Sequence, residues 1–126
     1  MHFLREKNIS FSQMSVLTRL YQHGPVDIIT ISRDMAVSKA GAGQLIHRMA
    51  EQGWLTLQSN PQDKRSRLVV LTEEGRHLVI QSMQAREEWL SQMITKIEAQ
   101  EQAKIAAALQ KLNHIANEQI TLKHEE

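Results

Sequence analysis

Between Ser38 and Thr72 the sequence changes its hydrophobic period twice, and that change narrows the available folds more than any other feature. Ser38 is a good helix N-cap residue, Leu45, Ile46 and Met49 recur at helical spacing, and Gly53 follows as a left-handed terminator. A short amphipathic helix over residues 38–52 is expected. Trp54 to Gln58 then alternates, residues 59–66 form a turn-rich, charged run, and Arg67 to Leu71 is β-branched and apolar. Helix, strand, basic turn, strand is the order of a winged helix.

The preceding residues supply the support that such a helix needs. Ser10 and Gln13 have the spacing of a capping box, Ile9 and Met14 that of a hydrophobic staple, so a helix is expected to start near Phe11. Met14, Leu17, Leu20 and Tyr21 continue its apolar stripe, and His23-Gly24-Pro25 ends it. Asp27 is placed to cap a second, short helix with Ile28, Ile31 and Met35 facing inward and Ser32 small enough for close approach. Two short helices with a tight link, the second capped by Ser38, make a helix-turn-helix. In that arrangement the outward side of residues 38–52 faces base edges: Lys39 suits guanine or phosphate, Gln44 a bidentate contact to adenine, Ala40 a thymine methyl. Ser38, His47 and Arg48 complete the candidate contacts on the helix.

The run Asp63-Lys64-Arg65-Ser66-Arg67-Leu68-Val69-Val70-Leu71-Thr72-Glu73-Glu74-Gly75 resembles the wing of the MarR-type transcriptional regulators, a basic turn leading to Leu-Thr-x-x-Gly, and Met49-Ala50-Glu51-Gln52-Gly53-Trp54-Leu55 is similar to that family's helix end and strand entry. The similarity runs from about Ile9 to at least Leu112. It implies a dimer that reads a pseudo-palindromic double-stranded DNA operator, usually as a repressor, with Asp63, Lys64, Arg65 and Arg67 at the duplex backbone. Arg65 matches the arginine that enters the minor groove, with Asp63 placed to orient its guanidinium. The resemblance also implies a small aromatic effector, for which Met14, Leu17, Met35 and Trp89 are candidate wall residues. Two departures stand out. Gly41 and Gly43 replace the bulkier residues usual in this helix, each at a cost of about 1 kcal/mol relative to Ala. They leave two readings, a looser helix or a close approach of its backbone to DNA. Members also begin with a further helix ahead of the segment that starts here at Ile9; Met1 to Asn8 stand in its place, and Phe3 and Leu4 are expected to dock on the terminal helices.

Thr72 is expected to cap the next helix, with Glu73 and Glu74 in the first turn where the helix dipole favours negative charge. Beyond His77 one apolar stripe runs through Leu78, Met83, Leu90, Met93, Ile94 and Ile97, and a second through Ile105, Leu109, Leu112, Ala116 and Ile120. Such spacing describes a seam between helices, and with a core already present in residues 11–71 the seam is expected to meet a second copy of the chain. The fold class is therefore mainly α with a small β-hairpin wing: a winged helix-turn-helix lobe over 9–75 and a helical dimerisation region over 76–122, within one domain.

Composition removes the rival classes. At 126 residues the chain is sized for one ordinary domain, and with no cysteine it has neither a disulfide framework nor a thiol switch. No apolar run reaches a membrane span, so a cytoplasmic location is expected. The net charge of +1 divides unevenly: residues 1–76 carry 10 Lys and Arg against 7 Asp and Glu, residues 77–126 carry 5 against 7. The positive part is the one that holds the helix and wing, as phosphate binding requires. The six histidines form no i, i+3 or i, i+4 pair, so no metal site is expected, and no phosphate loop or nucleophile elbow suggests an enzyme or a cofactor. Met14, Met35, Met49, Met83 and Met93 read as core filler. The alternative to a DNA-binding regulator is a winged-helix module that binds another protein without contacting DNA, which only Gly41 and Gly43 favour.

Overall fold

A computed structural model describes residues 2–124, with side chains described through Ile120. The elements are α1 (His2–Glu6), α2 (Phe11–His23), β1 (Val26–Asp27), α3 (Ile28–Asp34), α4 (Lys39–Glu51), β2 (Leu55–Ser59), β3 (Arg67–Leu71), α5 (Glu73–Ile94) and α6 (Ala99–His124). The chain divides into two compact units, Met1–Ala85 and Arg86–Glu126, with the boundary inside α5.

Local chemistry sets the helix ends of the first unit. Ser10 Oγ accepts from the Gln13 N–H at 3.1 Å, and Gln13 Oε1 accepts from the Ser10 N–H at 2.9 Å, so both arms of the expected capping box form. Asp27 Oδ1 accepts from the Thr30 N–H at 2.7 Å, a bond that holds its carboxyl below the usual value of 3.8. Ser38 Oγ accepts from the Gly41 N–H at 3.0 Å. Three helices end in the same way: a residue at positive φ turns the chain, and its own N–H and that of the next residue satisfy the last carbonyls. Gly53 does this after α4 at φ 81°, with Gly53 N–H donating to Ala50 O and Trp54 N–H to Met49 O. Asn8 and Ala36 do it after α1 and α3, both at φ 54°. Ala36 is thus a strained hinge of the helix-turn-helix, because a Cβ is disfavoured in that region.

The sheet is antiparallel in the order β1-β3-β2, with Val26 opposite Val69 and Leu57 opposite the same residue from the other side. The two-residue β1 was not expected from sequence, and the hairpin's first strand begins at Leu55 rather than Trp54, which is buried instead. The core comprises Ile9, Met14, Val16, Leu17, Leu20, Ile31, Ile46, Met49, Trp54, Leu55, Val69 and Val79. It therefore reaches past residues 11–71 at both ends, and Phe3 and Leu4 of α1 pack against it. Burying a Leu or Ile side chain contributes about 2 kcal/mol, so this cluster is the main stabilising term of the lobe.

Gly75 explains the spacing Leu-Thr-x-x-Gly. Thr72 Oγ1 accepts from the Gly75 N–H at 3.1 Å and donates to Gly53 O at 2.6 Å, drawing the first turn of α5 onto the end of α4. A Cβ on Gly75 would lie 2.0 Å from Trp54 O. Only glycine fits there.

In the second unit the connection from α5 to α6 is closed by Gln102, whose Nε2 donates to Ile94 O at 3.1 Å and Ile97 O at 2.8 Å. From Arg86 to Ile120 no side chain is buried, and Leu90, Met93, Ile94, Ile105, Leu109 and Leu112 are all exposed. Met83 and Met93, expected as core filler, are 45% and 41% exposed, although Leu78 at the start of their stripe packs against the core. Among the described residues no helix is long and apolar enough to cross a membrane.

Candidate nucleic-acid interface

The candidate reading helix owes its outward face to what its inward face does. Ala42, Ile46 and Met49 are buried, and Leu45 and Ala50 pack at the edge of the core, which fixes the rotation of α4. Lys39, Ala40, Gln44, His47 and Arg48 are then all exposed, with Ser38 exposed at the N-cap. Added Cβ atoms distinguish the two glycines. At Gly41 one would meet Ser38 Oγ at 3.1 Å, whereas at Gly43 it would meet nothing within 4 Å. Packing within the chain therefore gives no reason for glycine at position 43.

The wing loop is organised by its own polar side chains. Asn60 Oδ1 accepts from the Gln62 N–H at 3.0 Å, Asn60 Nδ2 donates to Ser66 Oγ at 2.9 Å, and Ser66 N–H donates to Asp63 O at 3.1 Å. Asp63 acts differently from the expectation: its Oδ1 accepts from the backbone N–H of Arg65 at 2.9 Å, and among the described residues it forms no ion pair with the Arg65 guanidinium. The short Asp side chain is consumed by a local turn, which shapes the loop and leaves the arginine head exposed. Lys64 is exposed too, while Arg67 Nη2 donates to Leu57 O across the hairpin at 3.4 Å.

Within the first unit the three expected effector-wall residues do not line one hollow. Met14 and Leu17 are spent in the core, and Trp89 is 60% exposed on the second unit. Met35 lines an open hollow of about 450 Å³ with Ser15, Val16, Arg19, His23 and Asp34, where Arg19 Nε pairs with Asp34 Oδ2; Met14 and Leu17 do not line it. Among the described residues no group of three or more His, Asp or Glu could hold a metal ion. Among the described residues four histidines pair with a glutamate one helical turn away: His2 with Glu6, His47 with Glu51, His77 with Glu73, and His114 with Glu118, at 3.0 to 3.5 Å. A scan for His–His spacing alone misses them, although the His/Glu i, i+4 spacing is visible in the sequence.

Comparison with known proteins gives the arrangement a context. Residues 9–66 match the sequence model described as the MarR family. An HTH-type transcriptional regulator of Bacillus subtilis, YdgJ, is 23% identical over 109 residues, 86% of this chain and 66% of that protein. A Staphylococcus aureus HTH-type transcriptional regulator, SAV2265, is 29% identical over 60% of this chain and 51% of its own length. The chain thus spans between half and two thirds of these relatives. Among solved structures, wild-type MarR of E. coli has a TM-score of 0.74 at 27% identity, covering 88% of this chain and 82% of its own. The transcriptional regulator Tm0710 of Thermotoga maritima superposes with a TM-score of 0.83 at 23% identity, covering 95% and 84%. A MepR variant of S. aureus, solved bound to an oligodeoxyribonucleotide, gives 0.74 at 19% identity, covering 91% and 85%. The relatives carry the names of regulators, not of enzymes.

Proposed function

With residues 9–66 matching the MarR family model, we propose that this chain is a dimeric, sequence-specific DNA-binding transcriptional regulator of that family. The observation that carries the reading is the pairing of two exposed polar faces on one lobe: the outward side of α4, and a wing whose loop is pre-shaped by its own side chains. Preshaping matters because a loop that is ordered before binding loses less conformational entropy when it docks. On this reading α4 lies in the major groove, Gln44 and Lys39 read base edges, and Arg65 enters the adjacent minor groove. Arginine suits the last role, since a narrow minor groove concentrates negative potential and admits a planar guanidinium. The MepR variant supports the reading as a structurally similar protein in complex with DNA.

Dimerisation is the second part of the proposal. Leu109 and Leu112 are 59% and 63% exposed within one chain, and so many uncovered apolar side chains on one unit support a second copy as their cover. A two-fold dimer places its reading helices about 34 Å apart, one helical turn of DNA, which is why a pseudo-palindromic operator is expected. Repression, with release by a small aromatic effector, completes the reading; the hollow at Met35 is the first-unit site that supports it. The test is a gel shift on duplex DNA from upstream of the chain's own gene, with random-sequence competitor and titrated salt. Binding that outlasts the competitor supports a sequence-specific regulator, and binding no better than to random DNA rejects it.

A further inference from the structure

We propose that DNA binding by this chain takes up protons at His47, so that affinity rises as pH falls through the histidine range; the proposal rests on the DNA-binding reading above. Among the described residues four exposed His–Glu pairs lie one helical turn apart, and one of them stands on the candidate reading face. His47 Nε2 lies 3.5 Å from Glu51 Oε1, with the two side chains 72% and 67% exposed. Around them on α4 stand Gln44 and Arg48, and among the described residues Glu51 is the one ion-pair partner of His47.

Placement gives this pair a consequence that the other three lack. Glu51 is exposed one helical turn beyond His47 on the same side of α4, and a carboxylate held beside a phosphate-binding face opposes docking. A neutral imidazole does nothing to offset it. An imidazolium neutralises the carboxylate and has two N–H donors, so one can stay with Glu51 while the other meets a phosphate oxygen or a base-edge acceptor. The duplex therefore prefers the protonated form. Histidine is the side chain whose ordinary titration falls near physiological pH, so the preference is expressed as proton uptake from solvent on binding. By linkage the duplex and the proton each raise the other's affinity by the same factor.

The experiment measures fluorescence anisotropy on a duplex of three helical turns from upstream of the chain's own gene at fixed low salt, from pH 6 to pH 8. Titration calorimetry in two buffers of different ionisation enthalpy counts the protons taken up. The wild-type chain is expected to bind several-fold more tightly at pH 6 than at pH 8. His47→Gln should bind with little pH dependence and without that uptake. Glu51→Gln should bind more tightly than wild type at pH 8, where the unneutralised carboxylate opposes docking most. His77→Gln, which removes an equivalent pair from α5, should keep the wild-type pH profile. Equal pH profiles for wild type and His47→Gln, or no buffer-dependent heat, would overturn the proton-linked mechanism while leaving DNA binding standing. No binding to the duplex at any pH would overturn both.

Discussion

Residues 9–79 hold every buried apolar side chain among the described residues, whereas residues 86–120 hold none, although both stretches carry apolar residues at helical spacing. In the first region α2, α3 and α4 find cover in one another and in a three-stranded sheet; in the second, stripes of equal regularity stay in solvent. Periodicity therefore tells which face of a helix needs cover but not which molecule supplies it. The difference also divides the work. The self-covered region presents a fixed polar face, and the uncovered region presents apolar side chains, which the proposed function assigns to association.

The strongest way to break the self-covered region is at Gly75. Gly75→Ala puts a methyl group against the Trp54 carbonyl, 2.0 Å away before relaxation, and should cost at least about 3 kcal/mol. Chemical denaturation is expected to show a large loss of midpoint, and a loss under about 1 kcal/mol would mean that this junction is far softer than described. The matching change in the other region is Leu112→Asp, at a side chain 63% exposed within one chain. It should leave the stability of the lobe unchanged but weaken self-association by at least about a hundredfold, as burial of an unpaired charge in an interface does. Sedimentation showing unchanged self-association would remove the seam from the account.

The contrast also explains what sequence could reveal. Ser10, Asp27, Ser38 and Thr72 were legible as caps because a cap is a local contract between a side chain and an N–H three residues on. The pairing of Val26 with Val69 spans more than forty residues and leaves only two residues of strand, too few to show a period. The role of Gly75 depends on a carbonyl twenty-one positions upstream, so the motif was visible while its reason was not. Asp63 was misread for the opposite cause: its bond to the Arg65 N–H is local, and the expectation looked past it to a longer-range charge pair. Ala36 gave no signal, since an alanine at φ 54° is a residue that propensity assigns to the helix.

Smaller changes sharpen the same comparison. Asp27→Ala removes the α3 cap and should cost about 1 kcal/mol at neutral pH. The Asp27 carboxyl is held below its ordinary value of 3.8 in the folded chain, chiefly by the Thr30 N–H. Its stabilising effect is therefore fully present above that value and is lost as pH falls through the lower, folded one. Denaturation curves for parent and variant should differ at neutral pH and draw together in acid; a constant gap would assign the cap's effect to something other than the ionised carboxylate. At the small end, Ala36→Gly relieves a positive φ and Gly43→Ala fills empty space on a helix. Each should stabilise the lobe by about 0.5 to 1 kcal/mol in thermal or chemical unfolding. If Gly43→Ala also weakens DNA binding despite a more stable lobe, the close-approach reading of that glycine is favoured over the looser helix.

The central claim, that the polar faces of the lobe anchor and read a duplex, is tested most directly by DNA affinity over a range of salt concentrations for the parent chain, Arg65→Ala and Gln44→Ala. Arg65→Ala should fold normally, bind more weakly on most sequences, and lower the slope of log affinity against log salt by about one per lost phosphate contact. Gln44→Ala should keep the slope and lose discrimination at one base position, by about 1 to 3 kcal/mol. An Arg65→Ala variant with the parent's affinity and slope would contradict the assignment of the wing and, with it, the account of how this chain holds DNA.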